Sequence, residues 1–192
     1  MNKNSEETKE RIKKAFIKLY KENRIEKITI SQLTKEAKVY RGTFYYYYKD
    51  IYDLLEQIEG RFFKEVIEDV FGVIEGILSG DIEKRAVEIT DHFKKYEEIM
   101  TLFFVDKPNY ILIRRLKEAA KSKILMILGI NNNNLSNEDK YILEYISSAQ
   151  VGIITKWIEN KRDIDTVKLA RIIKKVNLLG PVTSLKNNSI NK

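Results

Sequence analysis

The densest cluster of chemically capable side chains in this sequence lies between Thr29 and Tyr52. It holds Arg41, the lysines Lys35, Lys38 and Lys49, and six of the chain's 11 tyrosines: Tyr40, Tyr45, Tyr46, Tyr47, Tyr48 and Tyr52. A guanidinium can bind guanine O6 and N7 through two parallel hydrogen bonds. Tyrosine hydroxyls donate to phosphate oxygens, and lysines neutralise phosphates. Gly42 has no side chain to hold a backbone away from a duplex or a thymine methyl. A contiguous tyrosine surface is costly to leave bare and points to a partner. The competing reading, that these rings are plain core, explains neither their spacing nor the charge around them.

That charge is localised. Residues 1–49 carry 13 basic and 6 acidic side chains, which accounts for the whole net charge of +7, and residues 50–192 carry 22 of each. An asymmetry of this kind suits a polyanionic partner for the basic segment. Other chemistries are poorly served. With no Cys and one His, the chain offers no disulfide framework, no thiolate or multi-histidine metal site and no cysteine nucleophile. There is no glycine-rich phosphate loop and no convincing Ser-His-Asp set. Acidic pairs such as Glu97-Glu98 sit among lysines and read as solvated helix surface. We therefore expect no catalytic residues, no metal and no cofactor. The charged N-terminal stretch has no apolar segment behind it, and no apolar run is long enough to span a bilayer. The expectation is a cytoplasmic protein with no membrane partner.

The elements that must position the cluster are helical. Two Pro and eight Gly are too few for a chain of tight β-turns. Ile12, Ala15, Phe16, Leu19 and Tyr20 recur at helical spacing, predicting a first helix over about Glu6–Asn23. Thr29 and Gln32 form a capping box, with Ile28 and Leu33 placed as a hydrophobic staple, so a second helix starts at Ile30. It stops after Ala37. Lys38-Val39-Tyr40 is a short turn, and a third helix covers about Arg41–Tyr47. This is a helix-turn-helix on a supporting helix. Phe44 and Tyr48 point inward, leaving Tyr40, Arg41, Thr43, Tyr46 and Tyr47 outward and Tyr45 at the border. Further helices are predicted at about Ile51–Leu78, Ile82–Tyr96, Glu97–Val105, Tyr110–Ile130, Ser136–Asn160 and Asp165–Leu179. Asn131–Asn134 is expected to be a loop, and residues 183–192 a polar tail.

The pattern T-x-x-x-L-x-x-x-A-x-V-x-x-G-T-F-Y-x-Y-Y-x-D-x-x-D-L resembles the DNA-binding signature of the TetR family of bacterial transcriptional regulators. Thr29, Leu33, Ala37, Val39, Gly42, Thr43, Phe44, Tyr45, Tyr47, Tyr48, Asp50, Asp53 and Leu54 carry it. The segment from Ser147 to Ile173 is similar to the last two helices of many members. Three positions depart from the pattern: Lys38 stands where Gly is usual, Tyr40 where Ser is common, and Ile51 where a phosphate-touching Lys is frequent.

The resemblance implies an all-α fold of about nine helices. Residues 1–50 would be the DNA-binding domain and residues 51–182 a ligand-binding and dimerisation domain. It implies a homodimer on a palindromic operator in double-stranded DNA, released by a small, largely apolar effector. Arg41, Gly42, Thr43 and Tyr45 would approach bases. Tyr46, Tyr47, Lys49, Thr29 and Ser31 would hold phosphates, with Lys38 and Tyr40 beside them. Phe62, Phe63, His92, Phe93, Tyr96, Met100, Phe103, Phe104 and Tyr110 are the aromatic and polar supply for a ligand cavity, although such stripes also serve as plain core. Small residues Ser148, Ala149 and Gly152, with Ile153, suit a close helix–helix interface, and Ala170 and Ile173 would complete an intersubunit four-helix bundle. The alternative function is an activator or adaptor that uses the tyrosine-rich helix to bind a protein.

Overall fold

The capping box read from the sequence is formed. Gln32 N donates to Thr29 Oγ1 at 3.2 Å and Thr29 N donates to Gln32 Oε1 at 3.0 Å. Ser136 and Asp139 repeat the arrangement further along, and the Asp165 carboxylate accepts from Lys168 N. Each device satisfies backbone donors that the first turn of a helix leaves without a partner.

The computed structural model describes residues 3–184, apart from the side chains of Lys3 and His92. Among the described residues nine α-helices follow in order: α1 (Lys3–Glu22), α2 (Ile30–Ala37), α3 (Arg41–Tyr47), α4 (Ile51–Ser79), α5 (Ile82–Glu88), α6 (Thr90–Thr101), α7 (Tyr110–Leu128), α8 (Asn137–Glu159) and α9 (Thr166–Leu179), ahead of a last helical turn at 181–184. Among the described residues there is no strand, so the all-α expectation holds. No helix is long and apolar enough to cross a membrane. The chain divides into two compact units, Met1–Lys64 and Glu65–Lys192.

In the first unit α1, α2, α3 and the start of α4 enclose one core. Ile12, Phe16, Leu33, Phe44 and Leu54 are fully buried there, with Ala37, Tyr48 and Ile58 beside them. The junction into α4 explains the two aspartates of the sequence signature. Asp53 N donates to Asp50 Oδ1 at 2.8 Å, and Asp53 Oδ2 accepts from Lys49 N at 2.8 Å. That backbone donor, with Gln57, holds the Asp53 carboxyl below its ordinary value.

The second unit is a bundle of the remaining helices. α9 is tied to the α5 region by Arg171, which grips Glu83 through two bonds of 2.9 and 2.7 Å, and by Lys174 Nζ on the Gly80 carbonyl. α7 is tied to α8 by Lys117 and Lys121, which share Glu144. Gly76 lets α4 approach α5 closely: a Cβ there would lie 2.8 Å from the Ile82 Cα.

Three boundaries differ from the sequence reading. The helix expected over Ile82–Tyr96 is divided at Ile89, where Thr90 Oγ1 takes the Ala86 carbonyl at 2.9 Å and competes with the backbone ladder. No separate helix covers Glu97–Val105; α6 runs on to Thr101 and widens into a π segment, Leu102–Asp106, with Lys107 N on the Leu102 carbonyl. The wider turn accommodates three consecutive buried side chains, Leu102, Phe103 and Phe104. Residues 183 and 184, expected to open a polar tail, are part of a helical turn. Pro181–Ser184 is a helical turn whose buried Ser184 bonds the Gly180 carbonyl at 2.8 Å; residues 185–192 lie outside the described residues.

Candidate nucleic-acid interface and apolar cavity

α2 and α3 are joined by a turn in which Lys38 adopts φ 53° and ψ 50°. This left-handed conformation is the one that glycine accepts without strain, and here a lysine holds it. The Lys38 carbonyl accepts a 3.5 Å bond from Arg11 of α1. Tyr40 sits at the N-cap of α3 and makes no side-chain cap.

α3 presents two faces. Phe44 is fully buried and Tyr48 is buried at 5% exposure, where loss of water pushes its hydroxyl pKa up to about 12. Both hold the helix against the core. On the other side Tyr40 is 87% exposed, Tyr45 57% and Tyr46 81%. Arg41, Gly42 and Lys49 are exposed, and Thr43 and Tyr47 half-buried. Tyr46 and Tyr47 meet edge to face at 5 Å separation of their ring centres (4.9 Å), and Lys9 of α1 lies over the Tyr47 ring. Ser31 and Thr29 are exposed at the start of α2, but the Thr29 hydroxyl is engaged in the capping box. Ile51 is buried, so the position that departs from the family's frequent Lys contributes to the core. Among the described residues Lys14, Lys35, Lys38, Arg41 and Lys49 form no ion pair. The first unit therefore carries an uncompensated basic surface around a tyrosine-rich helix.

The second unit contains a cavity of about 330 Å³, within the range of small-molecule sites. Of the residues nominated from the sequence, Phe93, Tyr96, Met100 and Phe104 line it. The others do not. Phe62 and Phe103 are buried elsewhere in the core, Phe63 is half-buried away from the cavity, and Tyr110 is 78% exposed. The His92 side chain lies outside the described residues. Much of the wall was missed in the sequence. Val66, Val70 and Val73 of α4, Gln150 of α8 and Asn177 of α9 also line it, and none of them is among the residues nominated from the sequence. The signal for the last two was a carboxamide interrupting an apolar helix face.

The nominated dimer residues separate into two groups. Ser148 and Gly152 are exposed on α8, Gly152 with open space around it, and Ala149 and Ile153 are half-buried. Ala170 and Ile173 are buried and line the cavity, so they face the interior of their own bundle and not a partner. The exposed apolar residues of α9 are instead Ile172, Leu178 and Leu179. On α8, Tyr141 and Tyr145 continue the stripe of Ser148 and Gly152, at 78% and 57% exposure. Among the described residues no group of three or more His, Asp or Glu could hold a metal ion.

Comparison with known proteins places both units. The family model described as the transcriptional regulator C-terminal region, of TetR type, matches residues 80–177. No curated protein matches the chain. Among solved structures, the dihydroxyacetone kinase operon activator DhaS is 23% identical, with 93% of this chain and 97% of that one covered at a TM-score of 0.56. The fatty acid degradation regulator FadR from Bacillus halodurans is 18% identical over 88% of this chain and 93% of its own, with a TM-score of 0.51. FadR from Bacillus subtilis, in complex with stearoyl-CoA, is 18% identical over 89% and 98%, with a TM-score of 0.54. At these identities the three structures show a shared fold. With half of its length matched by the family model, the chain belongs to the TetR family of transcriptional regulators.

Proposed function

We propose that the protein is a ligand-responsive repressor that binds a palindromic operator as a homodimer. Residues 1–50 form the DNA-binding head, and residues 51–182 the sensing and dimerising body. The observation that carries this reading is the outer face of α3: Arg41 and exposed tyrosines, flanked by cations that form no ion pair among the described residues. Arg41, Gly42, Thr43 and Tyr45 read base edges. Tyr46, Tyr47, Lys38, Lys49, Tyr40 and Ser31 position the duplex through its backbone. Thr29 serves as the cap that fixes the start of α2, since its hydroxyl and its backbone N–H are both engaged with Gln32. α8 offers Tyr141, Tyr145, Ser148 and Gly152 to a second copy, and α9 offers Ile172 and Leu179. An apolar effector in the cavity shifts the population between two separations of the recognition helices, with α4, which runs from the head into the body, as the connecting element.

A second reading is favoured by the DhaS neighbour, which is described as an activator. In that case the tyrosine face can serve a protein partner. Fluorescence anisotropy with duplex DNA over 50–300 mM salt separates the two. Head binding through several phosphates weakens by about a factor of 10³ or more over that span; affinity that ignores salt contradicts the DNA-binding reading. Sedimentation of the wild type and of Gly152→Glu tests the dimer, with a dimer expected for the first and a monomer for the second.

A further inference from the structure

We propose that the cavity takes a neutral, mainly apolar molecule carrying an end group that both donates and accepts hydrogen bonds, a primary amide or an alcohol, and that Gln150 and Asn177 read that group. This rests on the sensing role given to the cavity above, and it concerns the chemistry of the effector.

The cavity wall is apolar except at a few places, and the polar groups there are unequal. Ser147 Oγ donates to the Glu144 carbonyl at 3.2 Å, and Thr166 Oγ1 is 2.6 Å from Thr90 Oγ1. These hydroxyls are already engaged. Gln150 and Asn177 are different. Gln150 Nε2 donates to Asn177 Oδ1 at 3.0 Å, which joins α8 to α9 at the wall. Among the described residues no other bond is made by Gln150 Oε1 or by Asn177 Nδ2. Turning both carboxamides over would leave the same complement, one carbonyl oxygen and one amide nitrogen. Both side chains are half-buried, so water satisfies them when the cavity is empty. A purely apolar occupant would expel that water and strand a donor and an acceptor, which is unfavourable. An amide or hydroxyl end group replaces both bonds.

Charge argues against an anion. Lys117 lines the cavity, but its ammonium is bound to Glu144. Glu144 also takes Lys121 at 2.6 Å and the Ser148 hydroxyl at 3.0 Å. Lys117, Lys121 and Ser148 together hold the Glu144 carboxyl down to about 2. The other charged residue of the wall, Asp69, is itself a carboxylate. A carboxylate or phosphate entering this cavity finds no uncommitted cation, and an unpaired buried charge is strongly disfavoured.

The test uses the full chain and three probes of equal length: decanamide, 1-decanol and decanoate at pH 7.5. Trp157, the sole Trp, meets the cavity-lining Phe93 ring edge to face at 5.2 Å and reports binding by fluorescence, with calorimetry as the second readout. Decanamide and decanol are expected to bind at least about tenfold more tightly than decanoate. In the double variant Gln150→Leu/Asn177→Leu decanamide and decanol are each expected to bind at least about tenfold more weakly than to the wild type, since their end group loses its partners there, while decanoate stays disfavoured by its unpaired charge in both. Decanoate binding as tightly as decanamide to the wild type overturns the proposal and leaves the sensing role standing. Decanamide and decanol affinities that are unchanged in the double variant also overturn it. Failure of all three probes to bind removes the sensing role and the proposal together. The wild-type ratio decides the matter even if the double variant does not fold.

Discussion

Tyr45 and Tyr46 stand out from the first unit, 57% and 81% exposed, whereas Tyr96, Met100 and Phe104 of the second turn inward around an empty volume. The cations follow the same division. The side chains of Arg41 and Lys38 form no ion pair among the described residues, while Lys117, Lys121, Lys123 and Arg171 of the second unit are all paired. One sequence thus spends similar side chains in opposite ways. In the first unit a small, filled core holds a fixed helix whose outer face is left unsatisfied. In the second the charges balance, with 22 basic and 22 acidic residues over positions 50–192, and it is the interior that holds a cavity. An unsatisfied exterior and an unfilled interior are both sites for something not in the chain, the first for a large charged partner and the second for a small apolar one.

The contrast can be broken most strongly at Phe44. Phe44→Ala removes a fully buried ring from the filled core and is expected to cost about 3–5 kcal/mol, measured by urea unfolding; a loss under about 1 kcal/mol means that core is not filled. In the second unit the comparable weak point is a glycine. Gly76→Ala favours helix formation locally, yet the new Cβ meets Ile82 Cα at 2.8 Å, so a net destabilisation of about 1–3 kcal/mol is expected. Gly60→Ala, on the same helix with open space around it, should stabilise by about 0.5–1 kcal/mol. Equal signs for the two variants in thermal melts would refute the close approach of α4 and α5.

Smaller effects sharpen the comparison. Lys38→Gly relieves a left-handed residue at φ 53° and should stabilise the first unit by about 1 kcal/mol; no gain in melting temperature means the turn is not strained. Glu144→Gln tests the paired surface. The folded-state pKa of Glu144 is depressed from 4.5 to about 2, so its contribution is present above 4.5 and is lost as pH falls towards 2. The variant should be less stable than the wild type at neutral pH by under about 1 kcal/mol, because the pair is half-exposed, and the two should melt alike at pH 2. A difference that persists at pH 2 assigns the effect to packing.

The first unit was legible because its determinants are local. Thr29-x-x-Gln32 states a helix start, and Phe44 with Tyr48 fixes which way α3 faces. The second unit depends on contacts between distant helices. Periodicity marked Val66, Val70, Ala170 and Ile173 as apolar, but spacing along one helix does not say whether a face meets a partner subunit, a neighbouring helix or a void. For that reason Ala170 and Ile173, expected to complete an intersubunit bundle, line the cavity of their own bundle, while Ile172, Leu178 and Leu179 hold the exposed positions. The boundaries of α5 and α6 were missed for similar reasons: the Thr90 hydroxyl on the Ala86 carbonyl divides one expected helix at Ile89, and three consecutive buried residues widen the end of the next into a π segment.

Whether the outer face of α3 reads DNA as half of a symmetric pair is tested most directly by selecting bound sequences from a random duplex pool with the wild type and Arg41→Ala side by side. The wild type should enrich two half-sites related by a two-fold axis. Arg41→Ala should retain the same palindrome with lower affinity, by about 1–3 kcal/mol, and lose its preference at one base pair in each half. A wild-type pool with no two-fold sequence, or an Arg41→Ala pool indistinguishable from it, would contradict the assignment.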